Sequence, residues 1–260
     1  MALDFKKFKR TLEKNDRLVL FLDYDGTLAD FAKYPDILEP NAEVLKLLNA
    51  LMACENVTTA IVSGRSLAQL QKLIPIPNLI MAGSYGLEIQ LNANRIYYPL
   101  NFKKIRPALE ELKPVWQGLI ENESSFFLED KGWALAIHAR FVDEGIAEEI
   151  LSQAKIVAET RMDLSVFQVN AGNKFLEVSP HQANKGQCVK FLVNKISAHD
   201  ATLLYLGDDD KDEQAFDVIH SYGGYAIRVC SNVINNPIED WRLENPKEAR
   251  AWIWKLIRGC

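Results

Sequence analysis

The sequence predicts an α/β protein: a parallel sheet with helices on both faces, interrupted by an inserted α+β unit. Three observations carry this reading. A wholly apolar run, Leu18–Leu22, ends in two carboxylates, Asp23 and Asp25, the signature of a strand buried on both faces with chemistry at its tip. Strand and helix signals alternate toward both ends of the chain, which implies parallel strands joined by right-handed crossovers. Between them the order changes to helix–strand–strand, twice over, which fits an antiparallel sheet with two helices on one face. The expected division is 1–102 and 183–260 for the core and 103–182 for the insert.

The elements follow in order. After the first strand, Asn41–Leu51 places Val44, Leu45, Leu47, Leu48 and Leu51 on one helical face. Val57–Val62 is a second buried strand and runs into Ser63-Gly64-Arg65. Leu79–Ala82 is a third, entering the turn Gly83-Ser84-Tyr85-Gly86. Glu88–Leu91 and Arg95–Tyr98 flank Asn92-Ala93-Asn94, a hairpin signal. In the insert, Phe102–Ile120 and Val142–Glu159 are helical. Strands at Phe126–Leu128 and Ala134–Ala139 surround Asp130-Lys131-Gly132. Strands at Ser165–Val169 and Lys174–Val178 surround Ala171-Gly172-Asn173, where Gly172 is expected to serve the turn. The core pattern then resumes with helix Gln187–Ile196, buried strand Thr202–Leu206, helix Asp212–His220, strand Tyr225–Val229 and helix Lys247–Ile257.

The chain has 260 residues, is 48% hydrophobic and carries a net charge of −5, enough apolar content for one or two cores. No basic stripe marks a nucleic-acid footprint. Lys6, Lys7, Lys9 and Arg10 interleave with Phe5, Phe8 and Leu12 at helical spacing, which reads as a short amphipathic helix with a solvated basic face. No apolar run reaches the length of a membrane span, and no signal peptide is visible. Cys54, Cys188, Cys230 and Cys260 form no CxxC pair and read as free thiols of a cytoplasmic protein. Trp116, Trp133, Trp241, Trp252 and Trp254 are expected to pack rather than to form stacking platforms.

Four clusters fall at predicted strand ends or helix starts: Asp23/Asp25, Ser63, Lys185, and Asp208/Asp209/Asp212. A parallel sheet gathers its site at the carboxyl ends of its strands. Alone, Ser-Gly-Arg reads as a turn, Asn184-Lys185-Gly186 as a helix start capped by Asn184, and Gly-Asp-Asp as a loop and cap. Together and in this order they assemble hard oxygen ligands for Mg²⁺ with a hydroxyl and an ammonium for phosphate. That set fits phosphoryl transfer, in which the protein chiefly positions groups and neutralises charge.

These motifs resemble those of haloacid-dehalogenase-superfamily phosphatases, which share a Rossmann-like core, and more narrowly those of trehalose-6-phosphate phosphatases. The supporting segments are Asp23–Leu28, Ser63-Gly64-Arg65, Gly83–Gly86, Lys131 to Arg140, Gly172 to Glu177, Asn184-Lys185-Gly186, and GDDDKDEQAF at 207–216, where the family has GDD-x-T-DE-x-x-F. The resemblance implies Asp23 as nucleophile, Asp25 as general acid and base, and Mg²⁺ held by Asp23, Asp208 and the Asp25 carbonyl. It implies Asp209 and Asp212 as orienting groups behind the metal. Thr27, Ser63, Gly64 and Lys185 would hold the phosphoryl oxygens. The insert would be a cap supplying sugar contacts from Lys131, His138, Arg140, Asn173 and Glu177, with Arg65 added from the core. His138 and Arg140 are expected on one face of a strand. Three departures from the family pattern bear on the substrate: Tyr85 stands for a histidine, Asn173 for a lysine and Ser179 for an arginine. The substrate implied is trehalose 6-phosphate. Glucosylglycerol, glucosylglycerate and sucrose phosphates are the alternatives, and a sugar phosphomutase or a non-enzymatic regulatory domain stands further off. A cognate sugar-phosphate synthase is the candidate protein partner.

Overall fold

The structure is a computed structural model and describes residues 17–31, 39–231 and 238–258. The expected N-terminal amphipathic helix and Cys260 lie outside these residues. The chain divides into two compact units, Met1–Tyr97 with Asn184–Cys260, and Tyr98–Ala183.

The first unit is built on β1 (Leu18–Leu22), which pairs in parallel with β2 (Val57–Val62) on one side and β10 (Thr202–Gly207) on the other. With β3 (Ile80–Gly83), β4 (Glu88–Asn92), β5 (Arg95–Tyr97), β11 (Tyr225–Val229) and β12 (Trp241–Leu243), the sheet order is β12-β11-β10-β1-β2-β3-β4-β5. The strands from β12 to β3 are parallel, and β3-β4-β5 is an antiparallel meander.

The uniform apolarity of β1 has a direct cause. Leu18, Leu20 and Leu22 enter one core with α1 (Ala42–Met52), α2 (Leu67–Leu73) and α7 (Pro246–Leu256). Val19 and Phe21 enter a second core with α5 (Lys185–Lys195) and α6 (Asp210–Ser221). A strand covered on both faces has no polar side. The chain order reverses at β1, with β2 to one side and β10 to the other. A crevice forms at such a switch point, beyond the strand ends.

Two elements escaped the sequence reading. Helix α2 is only seven residues long and is defined by a capping box, with Ser66 and Gln69 exchanging side-chain and backbone bonds. Strand β12 is three residues long.

The second unit carries an antiparallel sheet in the order β6-β7-β9-β8, from β6 (Phe127–Asp130), β7 (Leu135–His138), β8 (Phe167–Gly172) and β9 (Phe175–Pro180). Two helices accompany it, α3 (Phe102–Ile120) and α4 (Glu144–Arg161). Register puts Phe127, Glu129, Ala136, His138, Asn170, Phe175 and Glu177 on one face. The β8–β9 turn is Asn173-Lys174, with the positive φ at Lys174 (52°), so Gly172 ends the strand and does not supply the turn's left-handed residue. Trp116 and Trp133 are buried in this unit, and the Trp116 indole donates to the Ala154 carbonyl. Cys54, Cys188 and Cys230 are free thiols. No helix among the described residues is long and apolar enough to cross a membrane.

Candidate active site

Asp23 is the first residue beyond β1, and its N–H still donates to the Leu206 carbonyl of β10. Asp208 follows the end of β10, so two carboxylates meet where two parallel strands stop. Gly26 turns the chain between them with φ +78°. A Cβ at this position would sit 2.3 Å from Asp208 Oδ2, so a side chain would evict the second carboxylate. Asp212, in the first turn of α6, completes the group: Asp23, Asp208 and Asp212 offer oxygens that all lie within 4.8 Å of one another.

Lys185 opens α5, and its Nζ lies 2.8 Å from Asp23 Oδ1 and 2.6 Å from Asp212 Oδ1. The caps that a purely structural reading expects are present too. Asn184 caps α5 through Gln187 N–H, and Asp209 caps α6 through the N–H groups of Lys211 and Asp212. The caps place Lys185 and Asp212 in the first turns of their helices, so capping and site-building are one device here.

The three acids divide by what their oxygens already accept. Asp212 Oδ1 accepts from Lys185 and from the Tyr205 hydroxyl, and Oδ2 from the N–H groups of Asp208 and Asp209. Its oxygens are filled by protein donors. Asp23 Oδ2 is buried and has no hydrogen-bond partner among the described residues. Burial pushes Asp23 up to about 8, against the pull of Lys185 and with Asp208 adding repulsion. Burial, then the charges of Asp209 and Asp212, push Asp208 up to about 7. Burial also raises Asp212, to about 8, against Lys185. For Lys185 burial works downward, but Asp212 and Asp23 hold it well above its usual value. Three carboxylates facing one ammonium leave two negative charges uncompensated when all are ionised. An orphaned carboxylate oxygen and that charge deficit fit a divalent cation.

Thr27 is fully buried and its hydroxyl donates to Asp208 Oδ1 at 3.3 Å. Ser63 directly follows β2 and is buried, with its Oγ accepting from Arg65 N–H, which leaves its own proton for another acceptor. Asp25 lies apart from the buried group. Its two oxygens are 2.6 and 2.7 Å from the Nε and Nη2 of Arg65, a bidentate pair. The pair lines a cleft of about 140 Å³ with Asp30, Glu39 and Asn41. Arg65, expected at the sugar, is engaged instead by the expected acid/base, a pairing that 40 residues of separation hid. Asp209 serves as a helix cap and is not among the three clustered acids.

In the second unit Lys131 Nζ lies 2.6 Å from Glu177 Oε2, and Glu177 is fully buried. Glu129, which the sequence reading missed, lies 2.9 Å from His138 Nε2 and 3.8 Å from Lys131 Nζ. Its spacing of two from Lys131, the residue just past β6, was the available signal. Arg140 corrects an expectation. Strand β7 ends at His138, the Val142 N–H turns back to the Ala139 carbonyl, and Arg140 lies exposed in that turn with its guanidinium 5.9 Å from the Phe141 ring. It therefore shares no strand face with His138. Asn173 is exposed in its hairpin turn, and Ser179 is buried on β9.

Known proteins resemble this chain in sequence and in fold. A trehalose-phosphate phosphatase B of Arabidopsis thaliana is 27% identical over 94% of this chain and 67% of its own length. The structure of a trehalose-6-phosphate phosphatase of Aspergillus fumigatus is 26% identical, covering 98% of this chain and 97% of that one, with a TM-score of 0.68. The C-terminal domain of trehalose-6-phosphate phosphatase of Candida albicans, 21% identical over 98% of this chain and 97% of its own, shows the same fold with a TM-score of 0.84. The family profile described as Trehalose-phosphatase matches residues 21–246, a span that runs from the first buried strand through the insert to the start of the last helix, and the chain belongs to the trehalose-phosphatase family.

Proposed function

We propose that this chain hydrolyses trehalose 6-phosphate to trehalose and inorganic phosphate through an aspartyl-phosphate on Asp23. The carrying observation is the buried Asp23 carboxylate, with one oxygen on Lys185 and the other without a partner. Asp23 attacks phosphorus, the bond to the sugar oxygen breaks, and Asp25 gives that oxygen a proton. Asp25 then takes a proton from water, which attacks the phosphorus, freeing phosphate and restoring Asp23. Arg65 aligns Asp25 until substrate arrives. Thr27, Ser63, the backbone at Gly64 and Lys185 hold the phosphoryl oxygens.

Asp23, Asp208 and the Asp25 carbonyl are the groups we assign to Mg²⁺, with Asp212 and Asp209 orienting them. When bound, the ion supplies neutralising charge for the phosphoryl oxygens. The second unit recognises the sugar through Lys131, Glu177, His138 and Glu129, with Arg140 and Asn173 as outer contacts. A cognate synthase is the protein partner this activity implies, and the free thiols accord with a cytoplasmic setting.

A phosphate-release screen across sugar phosphates with Mg²⁺ tests the reading. Trehalose 6-phosphate should show the highest kcat/KM. If another glycosyl phosphate exceeds it by more than about tenfold, roughly 1.4 kcal/mol, the substrate assignment fails while the phosphatase chemistry stands.

A further inference from the structure

The two positions at which the core departs from the quoted motifs, Tyr85 for histidine and Lys211 for threonine, touch each other. The Lys211 ammonium lies 2.7 Å from the Tyr85 hydroxyl and 4.2 Å from its ring centroid. Tyr85 is held in place from two sides of the phosphate-binding group. Its N–H donates to the Ser63 carbonyl at 2.9 Å, and its carbonyl accepts from Asn184 N–H at 3.0 Å, one residue before Lys185. Ser84, Tyr85 and Gly86 all have positive φ (50°, 54° and 96°), a conformation two L-residues accept only where the surroundings fix it. The tyrosine ring then lies over the Ser63–Arg65 turn so closely that a Cβ at Gly64 would be 2.6 Å from its Cζ and 2.7 Å from its hydroxyl oxygen. One hydroxyl thus meets both the open face of Gly64 and the lysine.

Lys211 sits in the first turn of α6, next to Asp209, Asp210 and Asp212. A cation at a helix N-terminus works against the helix dipole. Its placement follows from the tyrosine and from the surrounding anionic charge. We propose that Lys211, steered by Tyr85, is a second phosphate-binding cation of the site, meeting the phosphoryl dianion beside the Ser63-Gly64-Arg65 turn as a partner to Lys185. Lys211 binds and Tyr85 positions. The inference rests on the phosphatase reading for its substrate, but inorganic phosphate probes it directly.

The experiment first records phosphate release by the wild-type protein, which stands or falls with the phosphatase reading. Inorganic phosphate is then titrated, as an inhibitor and by calorimetry, against Lys211→Ala, Lys211→Arg and Tyr85→Phe. Losing one charge-assisted contact should weaken phosphate binding and raise KM by about tenfold in Lys211→Ala, with kcat within about threefold. Lys211→Arg should stay within about threefold of wild type, and Tyr85→Phe should fall between them. Lys211→Gln replaces the alanine variant if that one does not fold. Phosphate binding within about twofold of wild type in the charge-removing variant overturns the proposal, as does a fall in kcat with KM and phosphate binding unchanged. If the wild type releases no phosphate, calorimetry on the same variants still decides the role of Lys211.

Discussion

Asp23 combines burial, an ion pair and an oxygen without a partner in one carboxylate. Asp23→Asn keeps the volume and removes both the charge proposed to attack and one oxygen proposed for the metal, so turnover should fall by more than about a thousandfold with the fold retained. Release within tenfold of wild type would exclude Asp23 as nucleophile. The same acids predict a pH dependence. Asp23, Asp208 and Asp212 are held above their usual 3.8, at about 8, 7 and 8. The folded chain without metal keeps protons that the unfolded chain has released, so its stability declines as pH rises from about 4 to about 8. A cation needs these groups ionised, so its stabilisation grows over the same range. The Tm gain from saturating Mg²⁺ should be larger at pH 8 than at pH 6; an equal or smaller gain would refute the assignment. The local acidic motifs were legible because each follows an apolar strand. The Asp25–Arg65 and Tyr85–Lys211 pairs were not, since nothing local in a sequence shows which distant charges will meet.

Elements were legible where burial imposes a pattern. The continuous apolar runs of β1, β2 and β10 and the helical spacing of α1 are such cases. Reading failed where an element is defined by capping or by neighbours alone, as in α2 and β12, and where a strand stops early, as β7 does before Arg140. Helix α3 was read through two prolines, and both lie inside it. Pro114 is exposed there and lacks the N–H that would bond to the preceding turn. Pro114→Ala restores a bond and a better helix former, at the cost of a more flexible unfolded chain. A net gain of about 1–2 kcal/mol is expected, measurable by urea denaturation. An unchanged or lower midpoint would mean that the proline fits a bend the helix requires.

At the scale of the molecule, chemistry and sugar recognition are assigned to different units, which predicts separable kinetic defects. Lys131→Met and Glu177→Gln should lower kcat/KM for trehalose 6-phosphate by about 2–3 kcal/mol, in line with lost charge-assisted bonds. Arg140→Ala should cost less, because Arg140 stands in an exposed turn off the strand. A small aryl phosphate should be nearly unaffected by all three, whereas Asp25→Asn should impair both substrates. Parallel losses on both substrates in the insert variants would assign Lys131 and Glu177 to the integrity of their sheet.

Because the insert interrupts the core, the central strand is made long before its neighbour. Leu18 pairs with Thr202. At roughly 5–20 residues per second, synthesis separates them by about ten to forty seconds. During that interval β1 has β2 available but an open apolar edge on the side where β10 belongs, the kind of edge that recruits other chains. The clustered carboxylates come together only after that wait, so nascent chains depend on shielding of this edge, and slower translation should lower the yield of active protein before it alters any property of the finished fold.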